Sequence, residues 1–169
     1  MALTEENNYA FIDGQNVSFG IHTMGWQLDF EKFRICLKEK YGARKAYLFL
    51  GYLPWNVKNY ELLAGYGYTL VFKKAIINET GTIKANVDAE LILQAMIEYG
   101  NYEKAIIVSG DGDFSCLVRH LNKNQKLKNV IVPNKNRYSG LLKKAANGKI
   151  SFMDDMQTLL ERPNIKSPS

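Results

Sequence analysis

The sequence is poor in cysteine and histidine, with two of each among its 169 residues. Cys36 and Cys116 stand far apart with no second cysteine beside either, which excludes a thiolate zinc site and a disulfide framework. Both read as reduced core residues. A Ser-His-Asp hydrolase needs a histidine base, and neither His22, in a Gly-flanked loop, nor His120, on a helix, accompanies a nucleophile elbow. His120 shares a helix face with Asp113 but lies two turns, roughly 10 Å, along it, and reads as structural. Complete glycine motifs for dinucleotides or triphosphates are absent. No stretch reaches the roughly 18 apolar residues of a membrane span, and Met1 to Asn8 lacks a basic segment followed by an apolar run. The expectation is a cytoplasmic protein with no membrane partner.

What is present fits one compact domain. The length suits a single core, and we expect that domain over residues 1–162 with a flexible tail over 163–169. Hydrophobic residues make up 46% and charged residues 23%, the balance of a folded chain rather than a disordered one. The formal net charge is +5, from 22 Lys and Arg against 17 Asp and Glu. That sign favours polyanionic partners such as nucleic acid and is equally compatible with simple solubility.

Short apolar runs recur at Tyr9 to Ile12, Ala46 to Leu50, Thr69 to Phe72, Ala105 to Val108 and Val130 to Val132. Their unbroken character predicts parallel strands buried on both faces. Between them, Phe30, Phe33, Leu37 and Tyr41 form one helical stripe, and Leu91, Ile92, Ala95, Met96 and Tyr99 another. Pro54 opens a helix to about Ala64, Phe114 to Leu121 supports a fourth helix and Gly140 to Ala146 a fifth. The run Ile150 to Met153 predicts an edge strand before a short terminal helix. Trp26 and Trp55 read as core or loop anchors. Alternating strands and helices give a three-layer α/β/α sandwich with a mainly parallel sheet, Rossmann-like, whose ligands gather at the carboxyl edge.

Acids collect at that edge. The first strand runs into Asp13, followed by Gly14, Gln15 and Asn16 as the chain turns; an Asx-turn or helix cap explains Asp13 equally well. The fourth strand runs into Ser109-Gly-Asp111-Gly-Asp113-Phe114, where one acid can cap the next helix but a cap does not need two. Asp88 opens a helix in line with its apolar stripe and so faces the sheet, whereas Glu90 points elsewhere and suits the helix dipole. Converging carboxylates repel unless a cation or proton compensates, and Mg2+ or Mn2+ is the natural partner for an all-oxygen set.

Asp13-Gly-Gln-Asn16, then Lys84 to Asp88, then Ser109-Gly-Asp-Gly-Asp-Phe114 together resemble the NYN domain family of PIN-like metal-dependent ribonucleases, over roughly Tyr9 to Ala146. The resemblance implies a PIN-like fold and hydrolysis of RNA phosphodiester bonds by a metal-activated water. It implies Mg2+ or Mn2+ held by Asp13, Asp88, Asp111 and Asp113, with Asn16 holding the loop or a metal-bound water and Ser109 matching the hydroxyl before the later acids. Many relatives carry a further acid about six residues after the middle Asp, where this chain has Gln94. One acid fewer bears on metal affinity and number, and keeps a catalytically weak RNA-binding or adaptor module as the alternative.

Substrate contacts are expected from Pro133-Asn-Lys135-Asn-Arg137-Tyr138-Ser139-Gly140, at the same edge and opening a helix. Lys135 and Arg137 can neutralise phosphates, Tyr138 can stack on a base, and amides near Ser139 can receive an oxyanion; a solvated polar loop explains the same residues. Ser109 and Lys84 are further expected contacts, and Lys73 and Lys74 can extend a backbone track. RNA, single-stranded or structured, is the expected partner; a homodimer is neither required nor excluded. Reading Asp111-Gly-Asp113 as the acid pair of an aspartate-based phosphatase leaves Asp13 and Asn16 without a role.

Overall fold

The structure, a computed structural model, describes residues 5–163. Six strands form one parallel sheet: β1 (Asn8–Asp13), β2 (Ala43–Tyr52), β3 (Tyr68–Lys74), β6 (Ala105–Val108), β7 (Leu127–Val132) and β8 (Ile150–Phe152). Their order across the sheet is β3-β2-β1-β6-β7-β8, so the chain winds outward from β1 in one direction and then outward from β6 in the other. β1 and β6 meet at the point where the winding reverses, the place where open α/β sheets leave a crevice for ligands. The fold is the PIN-like three-layer sandwich.

Alternation along each strand divides the core in two. Ala10, Ile12, Leu48, Ile106 and Val108 face a layer made by α1 (Gly14–Thr23), α2 (Phe30–Tyr41), α3 (Val57–Gly65) and α7 (Gln157–Leu160). Tyr9, Phe11, Tyr47, Ala105 and Ile107 face the layer of α4 (Asp88–Ile97), α5 (Ser115–Lys123) and α6 (Gly140–Ala146). α2 shows how local sequence sets an element: the Asp29 side chain accepts the Lys32 N–H at 3.1 Å, and Gly42 ends the helix in a left-handed conformation. Its Phe33 and Leu37 are fully buried. Truncating either to alanine costs about 2–5 kcal/mol.

The structure departs from the sequence expectations in several places. The segment after Asp13 is the ten-residue helix α1, not a loop, and it carries His22; two helices therefore join β1 to β2. A small antiparallel hairpin of β4 (Ile76–Ile77) and β5 (Ile83–Lys84) follows β3, its turn held by Asn78 accepting the Thr80 and Thr82 N–H groups. β3 lies at the sheet edge, so residues such as Phe72 stay exposed and the strand is not buried on both faces. Cys116 is exposed rather than in the core, and Trp55 is exposed whereas Trp26 is buried. Apart from Pro163, the expected tail lies outside the described residues. Among the described residues, no helix is long and apolar enough to cross a membrane.

Candidate active site

The period of two that places Tyr9 and Phe11 on the α4 side of the sheet places Asp13 there as well. β1 pairs with β6 in register, Ile12 opposite Val108, so Asp13 and Ser109 emerge side by side. The chain then turns directly into α1: a Cβ on Gly14 would stand 2.8 Å from the Phe49 carbonyl oxygen, an approach only glycine permits. Asp13 caps the new helix, accepting the Asn16 N–H at 3.3 Å, and its other oxygen accepts the Ser109 hydroxyl at 3.3 Å. It is only 6% exposed.

The turn after β6 is built from its own polar groups. Ser109 Oγ accepts the Asp111 N–H at 3.1 Å, and the Asp111 carboxylate accepts the Asp113 N–H at 2.9 Å. Asn16 Oδ1 accepts the Gly110 N–H at 2.9 Å, joining this turn to α1. Asp88 arrives from the opposite side as the first residue of α4, its N–H donated to Asn86 Oδ1 at 2.9 Å. Carboxylate oxygens of Asp13, Asp88 and Asp111 thus lie within 4.8 Å of one another. Asp113 stands outside that triad, exposed, and its carboxyl lies on the same cleft as Asp88.

The electrostatics follow from the crowding. Burial raises the Asp13 carboxyl above the ordinary carboxylate range, against the lowering effect of the Asn16 and Ser109 hydrogen bonds, and Asp111 raises it further. Asp88 is pushed up to about 7, first by burial, then by the negative charge of Asp111, the carboxyl of Asp113 and the charge of Asp13. Among the described residues, no basic side chain forms an ion pair with the group, and the one cation lining its cleft is the exposed Lys84. An all-oxygen set with excess negative charge fits a hard divalent cation, which would supply the missing counter-charge.

The acids line a cleft of about 590 Å³, shared with Gln15, Asn16, Ser18, Phe19, Lys84 and Asn86. Gln15, Ser18, Phe19 and Asn86 were not expected there. Val17 and Ile21, buried four residues apart, were the available sign that α1 exists and turns its other face outward. The remaining expected contacts do not line the cleft. Ser109 is fully buried, its hydroxyl engaged with Asp13 and Asp111, so it braces the acids and does not meet solvent. Ser139 caps α6, its hydroxyl oxygen accepting the Leu141 N–H at 3.2 Å. Lys135 pairs with Asp155 at 3.6 Å. Arg137 is exposed on the loop packed against Gly110. Lys73 pairs with Glu90 at 3.1 Å, and the Gln94 amide donates to Glu98 at 3.3 Å, outside the cleft.

Comparison with known proteins agrees with this geometry. The model of the NYN domain family matches residues 9–154. The chain belongs to the NYN domain family. NYN domains are PIN-like nucleases, and the acidic cleft of this one lies where the winding of the chain reverses between β1 and β6. A crystal structure of a protein of unknown function from Vibrio parahaemolyticus RIMD 2210633 is similar to this NYN domain with a TM-score of 0.74 and 23% identity, over 96% of this chain and 100% of that one. That likeness concerns the fold alone. No curated protein matches the chain.

Proposed function

We propose that this NYN domain is a metal-dependent endoribonuclease that hydrolyses RNA phosphodiester bonds. The observation that carries the reading is the convergence of Asp13, Asp88 and Asp111 oxygens within 4.8 Å in an open cleft. Mg2+ or Mn2+ bound there would polarise the phosphate and lower the pKa of a bound water. Asp13, Asp88 and Asp111 would hold the ion, with Asp113 beside them able to accept a proton from the attacking water. Asn16 and Ser109 keep the two acid-bearing turns in register through the hydrogen bonds above.

Substrate would enter along the cleft. Lys84 is exposed on its wall and, among the described residues, has no ion-pair partner, so it can neutralise a backbone phosphate. Arg137, beyond the Gly110 turn, and Lys135, once released from Asp155, extend the cationic track at the other side. Phe19 is 61% exposed on the same cleft, the placement of a stacking platform for an unpaired base. A cytoplasmic RNA is the proposed partner.

Gln94 favours a second reading, an RNA-binding or adaptor module of low turnover, because its amide is held by Glu98 and adds no acid to the cleft. The deciding experiment is cleavage of labelled single-stranded and structured RNAs with Mg2+, Mn2+ or EDTA, comparing wild type with Asp111→Asn. The nuclease reading expects metal-dependent products that vanish with Asp111→Asn. RNA binding without products across the panel selects the adaptor reading, and equal cleavage by the variant removes the assigned site.

A further inference from the structure

We propose that a second pocket, adjoining the acidic cleft, binds a single unpaired nucleobase of the strand whose phosphate occupies the cleft, and so sets which bond is cut. This rests on the nuclease reading of the neighbouring site. The pocket has a volume of about 280 Å³ and lies between α1, the start of α2, the turn after β2, α3 and the segment leaving β5. Gln15, Ser18 and Ala85 line both it and the acidic cleft, so the two adjoin across these residues.

The chemistry changes at that shared wall. Four aspartates line the cleft, whereas no residue lining the second pocket is charged. A phosphate finds no cation there, and a metal finds no carboxylate; an uncharged planar ring with hydrogen-bonding edges finds both apolar wall and polar partners. The volume falls near the lower end of the roughly 300–1,000 Å³ typical of small-molecule sites, room for one base and not a base pair.

The polar groups are disposed for recognition. The side-chain amides of Gln15, Asn56 and Asn59 make no hydrogen bond among the described residues, and Asn56 does not cap the helix it precedes. Each offers a donor and an acceptor on one plane, the pattern with which amide side chains read base edges. Tyr60 is different: its hydroxyl donates to the Gly51 carbonyl at 3.2 Å and accepts the Leu53 N–H at 2.9 Å, fixing its ring as a rigid wall. Three free amides beside one locked aromatic are not required to hold the fold and suit a base whose Watson–Crick edge is unpaired.

The test is fluorescence anisotropy of the full chain with labelled short homopolymers of A, C, G and U, in EDTA so that turnover does not enter. One homopolymer is expected to bind at least about five-fold more tightly than the weakest, and Asn59→Ala and Asn56→Ala are each expected to bring that ratio below about two-fold. Thermal melts confirm that these exposed-side substitutions leave the chain folded. Equal affinities for all four, binding of none, or a preference that survives both variants overturns the proposal. A chain that discriminates between bases but cuts nothing in Mn2+ loses the nuclease reading and keeps the base pocket; one that cuts without preference does the reverse.

Discussion

The side-chain oxygen of Asn16 accepts the backbone N–H of Gly110 at 2.9 Å, tying the first turn of α1 to the turn that carries Asp111. Gly110 is buried, so losing this acceptor strands an amide away from water. Asn16→Ala is expected to lower unfolding free energy by about 1–3 kcal/mol. It should weaken Mn2+ binding about 10- to 100-fold, because the two acid-bearing turns then shift independently. Urea denaturation and calorimetric titration measure the two effects, and an unaltered Mn2+ affinity would refute the bracing role.

Asp88 predicts an unusual pH response. Its carboxyl is pushed up to about 7, with burial the largest cause and Asp111 the next, whereas the unfolded chain releases the same proton near 3.8. Between those values the folded state binds more protons than the unfolded one, so this group's contribution to metal-free stability is full below the lower value and is lost as pH rises towards 7. Divalent metal competes with that proton, so Mn2+ affinity should climb through the same window and level off above it. Asp88→Asn should melt higher than wild type in EDTA at alkaline pH, by roughly 1–3 °C since partial exposure screens the repulsion, and should bind Mn2+ more weakly. Melting curves in EDTA across the window that match for wild type and variant would count against the acid cluster as drawn.

Gly112 has no room for a side chain. A Cβ there would stand 2.5 Å from Ser139 Oγ and 2.9 Å from Ser139 Cβ. Gly112→Ala should therefore destabilise by about 1–3 kcal/mol. In a Ser139→Gly background the same change should cost much less, and a double-mutant cycle by denaturant melt measures the difference. Full additivity would mean that the contact is not the cause.

Phe19 makes a prediction about strandedness. Phe19→Ala should reduce affinity for single-stranded RNA about 5- to 150-fold, the range of one lost base stack, and should affect duplex binding far less. Phe19→Trp should restore the single-strand affinity. Gel-shift titrations in EDTA read both, and equal losses on single strand and duplex would argue for a general rather than a stacking contact.

The central strands were legible because a strand buried on both faces prints an unbroken apolar run, as Ala105 to Val108 does, and the acids at their ends were legible with them. Asp88 could be placed from the α4 stripe, since helical spacing fixes which face a first-turn residue shares. α1 was hidden. Gly14, Asn16, Ser18 and Gly20 are poor helix formers, only Val17 and Ile21 mark a buried apolar face, and the helix is held by the Asp13 cap and the sheet beneath it. The amide pocket was equally invisible, because its walls come from five segments that only the folded sheet brings together. The ion pair that holds Lys135 depends on Asp155, whose position beside the loop follows from the β7–β8 pairing rather than from any local pattern.

The pairing of β1 with β6 has a consequence for the order in which the molecule comes to life. Asp13 comes with β1, yet its neighbour in the sheet and the turn bearing Asp111 are added only after β2, β3 and α4 have been made. A nascent chain that stops short of β6 holds one acid on a strand paired on one side only, with β2, and another on a helix with no Asp111 turn opposite it. The long-range closure that slots β6 beside β1 is thus also the event that assembles the carboxylate cluster, so a chain that is unfinished or locally unfolded at this seam has its acids but not their meeting point.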